Sequence, residues 1–293
     1  MQYIEVIELI DNLCKSAENL EERVKVILEK IGTWDLEKLT YHLSHVGVIP
    51  ETYGHDSSEE KLYAKYCDIL IYAFFKLYGM EAKLVTTRGD YPDVIGKFAN
   101  KYTIVADAKA FRLSRTALNP KDYKISALGR WREQAKANYA CLVGSFFPKT
   151  RSRLFQEAVT HKVTLLSYAH LQFILSDPNW KSIDLIPLWK LPYSLSNVKK
   201  INSDVYWGAS KTWLLSNVKS KVSLERIEKN YAKNILGEGK RQISCLESEK
   251  NKINSLSKEE MIKRLYKEID RKISRVRVKV NELSEIEDLS EYF

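Results

Sequence analysis

Cysteine is scarce and scattered. Cys14, Cys67, Cys141 and Cys245 lie far apart, no C-x-x-C pair occurs, and His42 and His45 have no cysteine near them. These spacings exclude a zinc finger and a disulfide framework and predict reduced thiols. Long apolar runs are also missing. The longest, Ile69–Phe75, is bounded by Asp68 and Lys76, far short of the roughly 20 residues that span a bilayer. The opening residues Met1–Glu8 are acidic and amphipathic, unlike the basic start and apolar stretch of a signal peptide. A cytoplasmic protein without membrane contact is therefore expected. Glycine and proline are few, at 11 and 7, which excludes collagen-like and low-complexity chains. Gly237-Glu238-Gly239-Lys240 lacks the spacing of a phosphate loop and no strand precedes it. No internal repeat is visible.

What is present is a core and an uneven charge. Of 293 residues, 44% are apolar and 11% aromatic, enough for one large domain or two ordinary ones. The net charge is +9, which alone favours a polyanionic partner only in general terms. Its distribution is more specific. Residues 1–96 carry 10 basic and 17 acidic side chains, residues 97–136 carry 10 and 3, and residues 137–293 carry 27 and 18. The positive excess begins just after residue 96.

Apolar periodicity predicts helix over 3–31, a shorter helix over 35–46, and a third from Ser57, where Ser57 and Glu60 have the spacing of a capping box. The period then changes. Ala82–Thr87, Asp93–Phe98 and Tyr102–Ala110 read as strands, the last two forming a hairpin. Asn119-Pro120 predicts the start of a helix over about 121–137. Tyr139–Phe147 and Val163–Ser167 read as buried strands, 168–176 as helix, 177–203 as loop, and 204–284 as mostly charged helix. The expected fold class is α/β (α+β), with helical additions on both sides of a β-β-β-α-β core. The expected organisation is an N-terminal helical region over 1–56, a catalytic core over 57–180 and a mostly helical region over 181–293, packed as one unit with the core.

Three residues carry the chemistry. Asp107 and Lys109 lie two apart on one predicted strand, so they project to the same side. The neighbouring hairpin strand brings Asp93 beside them. Two carboxylates offer the hard oxygen ligands that Mg²⁺ takes, with water and phosphate oxygens completing its octahedron. The lysine can orient a water and offset developing charge. A bare D-x-K also occurs on solvated strand faces, but Ile104-Val105-Ala106 make this strand read as buried, where charge is rare. The segment that follows, Phe111–Lys124, is dense in Arg, Lys, Ser, Thr and Asn, the residue types that contact phosphates and base edges.

From Val105-Ala106-Asp107-Ala108-Lys109 through Phe111–Ala117, Asn119, Lys121-Asp122 and Lys124 to Ala127-Leu128 and Trp131-Arg132, the chain resembles the HindIII-like type II restriction endonucleases of the PD-(D/E)xK nuclease superfamily. The likeness extends back through Glu60-Lys61-Leu62 and Arg88-Gly89 to Asp93-Val94-Ile95. It implies a restriction-endonuclease-like core, a central mixed sheet flanked by helices. It implies a homodimer that hydrolyses both strands of palindromic double-stranded DNA with Mg²⁺, leaving 5′-phosphates, with A↓AGCTT as the site. A cognate DNA methyltransferase is expected in the same system. On this resemblance Asp93 and Asp107 are metal ligands and Lys109 is the catalytic lysine. Asp122 is a supporting acid or a helix N-terminal acid, and Glu60 a further acid or a capping-box glutamate. Arg112, Ser114, Arg115, Thr116, Ala117, Asn119, Lys121 and Lys124 contact DNA. A non-catalytic DNA-binding protein and a structure-specific nuclease on the same fold are the alternatives.

Overall fold

The computed structural model describes residues 1–16, 19–31, 34–86, 91–99, 101–114, 120–145, 147, 153–263 and 265–266. The chain forms two compact units, Met1–Gln242 and a second beginning at Ile243. The sheet and the residues singled out above belong to the first.

Among the described residues four helices precede the sheet: α1 (Tyr3–Leu13), α2 (Leu20–Ile31), α3 (Leu36–Leu43) and α4 (Ser58–Leu77). The helix expected over 3–31 is thus two helices, α1 closing at Cys14. Ser57 caps α4 as expected, its side chain accepting from the backbone N–H of Glu60. The returning half of the capping box is shifted by one residue. Glu60 accepts from the backbone N–H of Asp56 at 2.6 Å.

Among the described residues one sheet has five strands in sequence order: β1 (Glu81–Leu84), β2 (Val94–Phe98), β3 (Tyr102–Lys109), β4 (Tyr139–Gly144) and β5 (Val163–Ser167). β1, β2 and β3 pair antiparallel, while β3, β4 and β5 pair parallel. Every residue of β4 is buried. A parallel strand covered on both faces reads as a continuous apolar run, which is why Tyr139–Gly144 shows no alternation. Its residues divide between two cores. Tyr139, Cys141 and Val143 join the cluster built on α1–α4, whereas Ala140 and Leu142 join a second cluster. That second cluster includes residues of α5 (Ile125–Gln134) and α6 (Leu154–Thr160). The sheet is therefore the middle of three layers.

The helix expected over 121–137 is interrupted. A 3₁₀ turn, Pro120–Tyr123, comes first, then Lys124 at φ 49°, then α5. After β5 come α7 (Tyr168–Leu175), the one-turn helices α8 (Ile186–Trp189) and α9 (Leu191–Ser194), α10 (Ser203–Asn217) and α11 (Leu224–Asn254). Trp131 is buried in the second core, and Trp207 lies partly buried beside it. No described helix is long and apolar enough to cross a membrane.

Candidate active site

The hairpin sets the first pair. In the β2–β3 ladder Val94 faces Ala106. Continuing that antiparallel register by one residue puts Asp93 opposite Asp107. The backbone carbonyl of Asp93 is held by the N–H of Val85 at 2.8 Å, so the residue is fixed although it precedes the ladder. Asp107 and Lys109 project together from β3, as expected from their spacing. Lys109 Nζ stands 2.5 Å from Asp107 Oδ2.

A third carboxylate reaches the same point from α4. Asp68 is buried, and its Oδ1 accepts the backbone N–H of Ala108 at 3.2 Å. One oxygen each of Asp68, Asp93 and Asp107 lies within 4.8 Å of the others. Lys65, one helical turn before Asp68, approaches Asp68 Oδ2 to 3.3 Å. It also forms an ion pair with Asp93 Oδ1 and donates to the carbonyl of Val85 at 3.4 Å. Neither Asp68 nor Lys65 is expected from the sequence pattern of the site. A signal was present: Asp68 is the one acid inside the apolar face that runs from Leu62 to Phe75.

The electrostatics follow from burial. Burial drives the Asp107 carboxyl up; Lys109 pulls it down and Asp93 pushes it up, and the result is about 6. Burial and then Asp93 hold Asp68 well above the usual carboxylate range, against Lys65. Burial alone would lower the two lysines. For Lys109, Asp107 outweighs it, and for Lys65, Asp68 and Asp93 do so; both ammonium groups are held above their ordinary value.

The residues fit a divalent metal. Three hard carboxylate ligands converge, the donor set that Mg²⁺ and related cations take. Asp107 is buried and its Oδ2 meets the Lys109 ammonium at 2.5 Å.

The remaining expected residues sit elsewhere. Glu60 is not among the three converging acids; it pairs with Arg112 at 3.0 Å. Arg112 also donates to the carbonyls of Pro50 and Gly54, both at 3.2 Å. Its guanidinium thus ties the segment after β3 to the loop before α4. Ser114 is gripped by Glu51, whose two oxygens accept its backbone N–H at 2.8 Å and its hydroxyl at 2.7 Å. Asp122 is half-buried in the 3₁₀ turn, with Lys121 exposed beside it and Lys124 exposed at the start of α5. Arg115, Thr116, Ala117 and Asn119 lie outside the described residues.

Glycine is required where the chain passes this site. Gly47 has φ +108°, and a Cβ there would stand 2.6 Å from Ser145 Cβ. Its carbonyl accepts from the N–H of Phe111 at 3.2 Å and from the Ser145 hydroxyl at 2.7 Å. Residues 47–49 therefore run as a short pairing beside the exit of β3, and a side chain at 47 would push them off.

The profile of the HindIII restriction endonuclease family matches residues 3–281. The type II restriction enzyme HindIII of Haemophilus influenzae is 29% identical, with the alignment covering 90% of each chain.

Proposed function

The chain belongs to the HindIII restriction endonuclease family, and on that premise we propose that it cuts both strands of palindromic double-stranded DNA with Mg²⁺ held by Asp68, Asp93 and Asp107. It is a type II site-specific deoxyribonuclease. The observation that carries the residue assignment is the convergence of three carboxylates with Lys109 at the end of β3.

When bound, Mg²⁺ lowers the pKa of a coordinated water and stabilises the charge that develops on the scissile phosphate. The protein's own groups do the rest. Asp107 and Asp68, held in the interior, keep the carboxylate oxygens aimed at one point. Lys109, protonated against Asp107, offers N–H donors to the phosphate where negative charge grows. The donors are already oriented, so little reorganisation is needed in the transition state. The basic segment after β3 holds the duplex. Ser114, Arg115, Thr116, Ala117, Asn119, Lys121 and Lys124 contact DNA, and Arg112, anchored on Glu60, positions them. Asn119 suits bidentate pairing with adenine and Arg115 suits guanine or phosphate. Asp122 supports this segment from the 3₁₀ turn.

A palindromic site mirrors a two-fold assembly, so a homodimer in which each subunit cuts one strand is the expected form. A methyltransferase of matching specificity protects the host DNA. The recognition sequence proposed is A↓AGCTT. A purely DNA-binding role is disfavoured, because binding alone gives no use to three carboxylates drawn together beside Lys109.

Plasmid DNA of known sequence, incubated with the protein and Mg²⁺, tests this reading. Discrete fragments with 5′-phosphate ends mapping to A↓AGCTT are expected. Discrete fragments mapping elsewhere would overturn the site alone. A smear would indicate a nonspecific nuclease, and intact plasmid a binding protein.

A further inference from the structure

Lys65 has no role in the sequence pattern of the site, yet it touches two of its three acids. Its side chain is 16% exposed. Its ammonium contacts Asp68 Oδ2 at 3.3 Å and Asp93 Oδ1 as an ion pair, and reaches the Val85 carbonyl. Lys109 attends to Asp107. The two lysines thus divide the three carboxylates between them, and the oxygens that Lys65 holds belong to residues that would ligate a cation.

We propose that Lys65 is a built-in counterion that competes with the divalent cation for Asp68 and Asp93 and withdraws when the cation enters. The inference rests on the metal-binding reading given above. Two positive centres cannot both sit close against the same carboxylates at low cost. Like charges a few ångströms apart repel strongly near a protein surface. Lys65 rises from α4 on a flexible four-carbon stem, so its head can move away while the helix stays. Without a cation, Lys65 keeps Asp68 and Asp93 from repelling each other and the site stays folded. Lys65 is a positioning residue in that state.

The test is the affinity of the DNA-free protein for Mn²⁺ alone, measured by isothermal titration in the parent, K65M, K65R and D107N. Parent binding that is lost in D107N establishes the metal site; no parent binding would overturn the metal-binding reading itself. Given parent binding, K65M is expected to bind at least about tenfold more tightly, while K65R, which keeps the cation, is expected to bind no more tightly than the parent. Equal or weaker binding by K65M would overturn the proposal and make Lys65 a purely structural partner. If K65M is unfolded without metal, circular dichroism during a Mn²⁺ titration decides. Refolding by the cation supports the counterion role, and failure to refold overturns it.

Discussion

Asp68 Oδ1 accepts the backbone N–H of Ala108 at 3.2 Å, so one of the three converging carboxylates also fastens the helix to the strand. That bond ties α4 to β3 between the two residues, Asp107 and Lys109, that carry the D-x-K pattern. The helix and the strand therefore deliver their acids to the same point as one rigid piece.

The two roles of Asp68 separate by substitution. In D68N the amide oxygen still accepts from Ala108, and stability is expected to stay within about 1 kcal/mol of the parent. In D68A a buried N–H loses its acceptor, which costs about 1–3 kcal/mol. Both variants are expected to lose metal affinity and cleavage. Urea unfolding together with Mn²⁺ titration checks the split; a D68N that cuts DNA at the parent rate removes Asp68 from the site.

Metal affinity should depend on pH through Asp107. Burial lifts its carboxyl to about 6, so below that pH a proton must leave before a cation is held. Affinity is expected to fall by at least about tenfold per pH unit below 6. The effect on folding has the opposite direction. A carboxyl raised in the folded state stabilises the metal-free protein at low pH, and that contribution is lost as pH rises through about 6. Mn²⁺ titrations across about pH 5–8 check the first point, and an affinity that does not change over that range would contradict it.

The order of helices and strands could be read from apolar periodicity and strand spacing, whereas a central sheet flanked by helices was implied by the family resemblance. Tyr139–Gly144 is recognisable as a buried strand because nothing in it is polar, and Val163–Ser167 has the bounds its pattern predicts. Asp93, Asp107 and Lys109 were legible because a hairpin makes neighbours of residues that are near in sequence. Asp68 was not, since its approach depends on how α4 packs across the sheet, and its position within an apolar face reads as core. The interruption before α5 also escaped. It depends on Lys124 adopting φ 49°, a conformation that a non-glycine residue takes only when the surrounding structure imposes it.

His42 predicts an acid-sensitive N-terminal region. Its ring stacks on Trp34 with centroids 3.9 Å apart, and its nitrogens bond the Tyr66 hydroxyl at 2.7 Å and the Met1 carbonyl at 3.0 Å. Burial lowers its pKa to about 4. A histidine depressed in the folded state stabilises the fold above its unfolded value near 6.5, and that contribution is lost as pH falls towards 4. The loss is expected to reach about 3 kcal/mol by pH 4. Urea midpoints of the parent and H42Q, compared between about pH 7 and pH 4, should converge as pH falls. A gap that stays constant would show that His42 does not titrate in this way.

Lys109, beside three carboxylates, is expected to serve the chemistry of strand cleavage and not the grip on DNA. Lys109→Ala separates the two in one experiment, a gel-shift assay and a Mg²⁺-dependent cleavage assay on the same duplex containing AAGCTT. The expected result is cleavage reduced by at least about a thousandfold, with binding affinity within a few-fold of the parent. A Lys109→Ala protein that cuts at the parent rate would contradict the account.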